Sequence, residues 1–223
     1  MRGGWECHLF PLCSLENLVF GPGLLFVVSG PSGAGKDTLV GALRARMPRL
    51  KYSVSATTRE PRAEESDGED YFFLSHGEFK RRQAANEFLE YREYNGHLYG
   101  TPRDFVEKML MEGYDLIMKP EVNGALSIKS TFPDAALIFL LPDKFSHLRG
   151  RLLARRTETN DEIARRLEIA HEEMKHIGQF DYLLINEDRR SDEAVSDLEA
   201  IVRAERFRIH RWGEDSIRKL EHS

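Results

Sequence analysis

Cysteine is scarce in this chain: Cys7 and Cys13 are the only two in 223 residues, both near the N-terminus. Two thiols make neither a disulfide framework nor a zinc site. Long apolar runs are missing as well. Leu9 to Phe20 is partly apolar, but Glu16 and Asn17 interrupt it, which leaves it too short and broken to span a bilayer. A small-residue cleavage site is also lacking, which argues against a secretory signal. Residues 1–22 read as an atypical extension, and the expected location is cytoplasmic. There is no surplus of positive charge. The formal net charge of −5 speaks against a general nucleic-acid binder, so any anion site must be a local cluster of Arg and Lys. Internal repeats and low-complexity linkers are absent. The length suits one large α/β domain, or a core with an inserted subdomain.

What the chain does have is Gly30-Pro31-Ser32-Gly33-Ala34-Gly35-Lys36. The apolar run Leu24 to Val28 precedes it, and a helix-like stretch from Asp37 to Met47 follows. Strand, glycine loop, lysine and helix together make a phosphate-binding loop. Its glycines let backbone N–H groups turn inward around phosphate oxygens. The helix N-terminus adds its positive dipole end, and Lys36 adds a full charge. The expected ligand is a nucleoside triphosphate, held by Gly30, Ser32, Gly33, Ala34, Gly35 and Lys36. After such a lysine, Ser or Thr ordinarily ligates Mg²⁺. Here Asp37 stands there, followed by Thr38. A carboxylate is a good hard ligand, so Asp37, Thr38 or water remain alternatives for completing the metal shell.

Patterning predicts a helix from Gly35 to Met47, stopped by Pro48, and one strand over Lys51–Thr58. A charged loop then leads to a short strand at Tyr71–Leu74 and a polar helix at Gly77–Asn86. Phe88–Tyr94, Asn95-Gly96 and His97–Tyr99 form a hairpin signal. Thr101-Pro102 reads as a cap and first residue of a helix ending at Gly113. Strands follow at Tyr114–Lys119, Ala135–Leu141 and Tyr182–Ile185. Between the last two lie helices over Lys144–Arg156 and from Thr159 or Asn160 to about Ile177. Ser191 caps a terminal helix to about Arg211. Strands alternating with helices predict an α/β fold, a parallel sheet with helices on both faces. Residues 51–100 make a small β-rich insert in it.

The insert carries candidates for a second ligand. Arg59 and Arg62 can fork onto one phosphate, or simply decorate a solvated loop. Tyr71 and Tyr99 flank the hairpin and can donate hydroxyls. Glu90 lies among apolar neighbours in Phe88-Leu89-Glu90-Tyr91 and needs a partner. Guanine offers two adjacent donors, N1–H and the 2-amino group, which one carboxylate can accept together; adenine offers no such pair. Ser55 and Thr101 hydroxyls suit O6 and N7. The plainer alternative for Glu90 is an exposed strand residue.

These segments, with Gly68-Glu69-Asp70-Tyr71-Phe72-Phe73 and Tyr99-Gly100-Thr101-Pro102, resemble guanylate kinase in order and spacing over about residues 23–207. The resemblance implies a P-loop kinase that takes ATP, with Mg²⁺, and GMP as substrates. The core would be 23–50 and 101–211 with a lid near 143–168, the GMP-binding insert 51–100, and a tail 212–223. The implied GMP site is Ser55, Arg59, Arg62, Tyr71, Glu90, Tyr99, Thr101 and Glu121. Arg151, Arg155 and Arg166 would reach the phosphates, with Lys36, Arg59, Arg151 and Arg166 catalytic. Arg155 and its neighbour Arg156 are alternatives for the inward position, and Asn186 would touch the nucleotide edge. One departure stands out. The family usually has two acidic residues where this chain has Lys119-Pro120-Glu121. Lys119 replaces the first of them and cannot ligate a metal. Asp37 is placed to pair with it or to restore the lost charge. Two other readings compete. Ribose 1,5-bisphosphate kinase tends to carry an acid after the loop lysine. The guanylate-kinase-like domains of scaffolding proteins bind peptides without catalysis.

Overall fold

The structure, a computed structural model, describes residues 22–94, 96–154, 160–188 and 190–209. Cys7, Cys13, Asn95 and Arg155 lie outside them. Five strands form the main sheet: β1 (Leu25–Ser29), β2 (Leu50–Tyr52), β7 (Asp115–Met118), β8 (Ala136–Pro142) and β9 (Tyr182–Asn186). Their order is β2-β7-β1-β8-β9, and every pairing is parallel. A parallel sheet is covered on both faces, so its strands read as continuous apolar runs. In β1 the alternation still sorts the core in two. Phe26 and Val28 pack on one side with Leu39, Val40 and Leu43 of α1 (Lys36–Arg46) and with Ala194, Val195, Leu198 and Val202 of α7 (Ser191–Glu205). Leu25 and Val27 pack on the other with Val106 and Leu110 of α3 (Arg103–Met111) and Ala125 and Ile128 of α4 (Val122–Thr131).

A second sheet, β4-β3-β6-β5, stands apart from the first. Its strands are β3 (Ser55–Thr57), β4 (Tyr71–Phe73), β5 (Phe88–Tyr94) and β6 (His97–Pro102), with α2 (His76–Ala84) between β4 and β5. Its own small core is Ala56, Phe79, Phe88 and Leu98, with the Phe79 and Phe88 rings stacked at 4.4 Å. Two further helices, α5 (Phe145–Ala154) and α6 (Asn160–Met174), send Arg151 and Arg166 to the phosphate loop.

Several expectations change. The single strand expected over 51–58 is two strands in different sheets: Lys51 pairs with Leu116 of β7, whereas Ala56 pairs with Phe72 and Gly100. Thr101 and Pro102 end β6 instead of opening α3, and Pro102 stands at the N-cap with no side-chain cap. Ser191 is the first residue of α7; its hydroxyl meets Asn186 Oδ1 at 3.2 Å and does not cap the helix. α6 ends at Met174, followed by a 3₁₀ turn at Ile177–Gln179, and α7 ends at Glu205. The helix α4 had no counterpart in the sequence reading.

Candidate active site

The glycine loop closes the C-terminal end of β1 and delivers Lys36 as the first residue of α1. Gly30 has φ +136°, and a Cβ there would lie 2.2 Å from the Leu140 carbonyl oxygen. The backbone must therefore cross β8 at a distance only glycine permits. Lys36 Nζ donates to the Gly30 carbonyl and, at 3.1 Å, to that of Pro31. Burial draws the Lys36 ammonium below the ordinary lysine range; Glu173, Asp37 and Glu121 oppose that pull.

Three further groups brace the loop. Asn186 is buried at the end of β9, and its Nδ2 donates to the Ala34 carbonyl at 2.8 Å. Arg151 of α5 donates to the carbonyls of Ala34 and Asn186, each at 3.1 Å, and meets Asp188 at 3.5 Å. Arg166 of α6 donates to the Ser32 hydroxyl at 2.9 Å. Asn186, expected at the nucleotide edge, has both ends of its amide engaged here, on the Ala34 carbonyl and the Ser191 hydroxyl.

The second sheet builds the other half. Glu90 on β5 accepts the Thr101 hydroxyl of β6 at 2.6 Å. Burial pushes the Glu90 carboxyl up, and that hydrogen bond together with the charge of Arg92 pulls the other way. Tyr71 and Tyr99 meet edge to face with centroids 6.1 Å apart. Arg59 lies over Tyr71, its guanidinium 5.5 Å from the ring centre. Its Nη2 donates to both oxygens of Glu65 at 2.7 and 2.9 Å, and its Nη1 to the Glu60 carbonyl at 2.7 Å. Glu65 also accepts the Arg62 backbone N–H at 2.8 Å. The arginine loop is thus folded around an internal carboxylate. Ser55 opens β3 beside Tyr71, its partner in the ladder.

At the end of β7 the chain carries Lys119 and Glu121. Lys119 is ion-paired with Asp37, and its ammonium lies 5.5 Å from the centre of the Tyr52 ring. Glu121 stands at the N-cap of α4 and is ion-paired with Arg92 of β5. Among the described residues no group of three or more His, Cys, Asp or Glu is placed to hold a metal ion. Asp37 and Thr38, in the first turn of α1, expose hard oxygen donors beside the loop. That suits a magnesium ion carried mainly by phosphates and water.

Three charged residues of this region carried no signal that was read. Arg92 and Glu65 lack a motif. Glu173 has one: Ile163, Arg166, Ala170 and Glu173 form a stripe at helical spacing on α6. Ile163 and Ala170 are buried, Arg166 touches the loop, and Glu173 acts on Lys36.

A phosphate loop at the end of a parallel sheet, with a second sheet beside it that carries Tyr71, Glu90 and Tyr99, and Arg59 just beyond β3, fits a small-molecule kinase of the P-loop class. The guanylate kinase family model matches residues 23–205. A guanylate kinase of Caldanaerobacter subterraneus subsp. tengcongensis is 46% identical over 189 residues, covering 85% of this chain and 91% of that protein. One from Thermotoga maritima is 41% identical, covering 89% and 95%. Among solved structures, the guanylate kinase of Anaplasma phagocytophilum aligns with TM-score 0.66 at 29% identity, over 86% of this chain and 90% of that one. The chain belongs to the guanylate kinase family.

Proposed function

We propose that this enzyme transfers the γ-phosphoryl group of Mg·ATP to GMP or dGMP, giving ADP and the guanosine diphosphate, in the cytoplasm. The observation that carries the reading is that the two half-sites share one electrostatic corner. Lys119 at the end of β7 is ion-paired with Asp37, next to Lys36, and Glu121, two residues on, is ion-paired with Arg92, two residues beyond Glu90. A donor phosphate at one and a guanine at the other are thereby brought to a common cleft.

The acceptor phosphate is already an ionised nucleophile, so no general base is needed. The work is alignment and neutralisation of the charge on a loose transition state. Four of the cations assigned to that task engage protein acceptors: Lys36 the loop carbonyls, Arg151 those of Ala34 and Asn186, Arg166 the Ser32 hydroxyl, Arg59 the Glu65 carboxylate. Phosphate oxygens replace these acceptors when the nucleotides bind. The donors are preorganised, and little reorientation is required at the moment of transfer. Arg62, Tyr71 and Tyr99 hold the acceptor phosphate with Arg59. Arg155 adds to the lid. Asp37 or Thr38 would ligate the magnesium, whose charge screens the donor phosphates. α5 and α6 act as the lid that excludes water.

The test is ADP release from Mg·ATP with GMP, dGMP, AMP and ribose 1,5-bisphosphate offered in parallel. Turnover with GMP far above AMP is expected. Turnover with the sugar bisphosphate alone would move the chain to that activity. ATP binding without any turnover would leave a binding module.

The Lys119–Asp37 pair gives a second expected outcome. Lys119→Asp alone sets two carboxylates against the phosphates; Asp37→Ser alone leaves an unopposed ammonium there. Each single change should lower kcat/KM for GMP by roughly three- to tenfold, and the double change should recover most of the loss. Additive losses in the cycle would show that the two residues act separately.

A further inference from the structure

Glu90 and Glu121 bring like charges into one corner of the base pocket, and the Glu121 carboxylate disfavours ionisation of Glu90. Both must be ionised and suitably aimed to accept N–H donors. Arg92 answers both demands. Its guanidinium is ion-paired with Glu121 Oε1, and its charge favours the ionised form of Glu90. The packing that assembles the three is close. α4 lies along β5, with the Ser127 hydroxyl on the Leu89 carbonyl at 3.2 Å. A Cβ on Gly124 would stand 3.3 Å from Glu90 Oε2, so α4 approaches Glu90 closely at this glycine. Glu121 is one turn before Gly124, and Arg92 is two residues beyond Glu90, beside a register shift in the β5–β6 ladder that re-aims this stretch.

We propose that Arg92 is a positioning residue for base selection: it holds one oxygen of Glu121 so that the other faces the 2-amino group of a 2-aminopurine monophosphate. This rests on the GMP reading above. Without Arg92, repulsion from Glu90 and the rotamer freedom of an exposed glutamate turn the Glu121 carboxylate aside. The loss falls chiefly on the 2-amino donor, with a smaller share on N1–H through the weakened ionisation of Glu90.

IMP shares O6 and N1–H with GMP and lacks only that amino group, so the ratio of kcat/KM for GMP to that for IMP reads the effect. Arg92→Met keeps the aliphatic stem. It should lower the ratio about tenfold, chiefly through KM for GMP; IMP, which shares only the Glu90 contact, should lose a few-fold at most, and its kcat serves as the internal control of folding. Arg92→Lys should recover part of the ratio. In a Glu121→Gln background Arg92→Met should leave it unaltered. An unchanged ratio, or equal losses on both nucleotides, would overturn the assignment while leaving the GMP reading intact. Failure of the unsubstituted enzyme to use either nucleotide would overturn that reading and this proposal together.

Discussion

Lys36→Met should lower turnover of Mg·ATP and GMP by about a thousandfold and leave the fold standing. The ammonium stands at the first residue of α1, where the positive end of the helix and the loop amides already favour phosphate. Removing one preorganised charge from such a site costs roughly 10²–10³ in rate, and here no neighbour can substitute. Arg151 and Arg166 reach the phosphates from the Ala34 and Ser32 side of the loop, whereas Lys36 stands against the carbonyls of Gly30 and Pro31. The stability effect should run the other way. Burial holds the Lys36 pKa below its ordinary value, so folding disfavours its charged form. That cost is fully present below the lowered pKa and fades as pH rises through it towards the ordinary lysine value. Methionine removes the cost along with two hydrogen bonds to loop carbonyls, so Tm should stay level or rise. Near-normal turnover would refute the role. A large fall in Tm would mean that Lys36 builds the loop rather than serving the reaction.

The contrast between what could be read and what could not follows from the range of the forces involved. The loop and its lysine are local: seven consecutive residues determine the turn, and the flanking apolar run and helix confirm it. β1 and β8 announce themselves because both of their faces are buried. The division between Tyr52 and Ser55 is invisible along the chain, since both sides fit one alternating pattern. It is decided by β7 on one side and by β4 and β6 on the other. The helix α4 escapes notice because Gly124, Ser127, Ser130 and Thr131 are weak helix formers. Its stability comes from Val122, Ala125 and Ile128, buried where α4 lies against the main sheet and β5. Thr101 illustrates the same limit at the site. Before a proline it reads as a helix cap, yet its hydroxyl is spent on Glu90, eleven residues earlier. Ion pairs such as Lys119–Asp37 and Arg92–Glu121 join positions 82 and 29 residues apart. Charge alone proposed the first; nothing local proposed the second.

Glu90→Gln should cost GMP roughly a hundred- to a thousandfold in kcat/KM, from two charge-assisted hydrogen bonds lost together. The substitution is nearly isosteric, so packing against Gly124 is preserved. What changes is the pairing: a carboxamide has one acceptor where guanine presents two donors, and its NH₂ would face one of them. AMP, which offers no donor pair, should be used no worse than before, so the preference for GMP collapses from one side only. The pH dependence separates this from a steric defect. Burial raises the pKa of Glu90, against the pull of Thr101 and Arg92. Affinity for GMP is present above that pKa and is lost as pH falls through it, at a higher pH than an ordinary carboxylate would give. KM for GMP should therefore climb on the acid side in the unsubstituted enzyme, and Glu90→Gln should flatten that limb at a uniformly high value. If the variant kept its GMP kcat/KM, or kept the acid limb, the base would be read by some other group. The Thr101–Glu90 bond would then be no more than a cross-strand tie between β5 and β6.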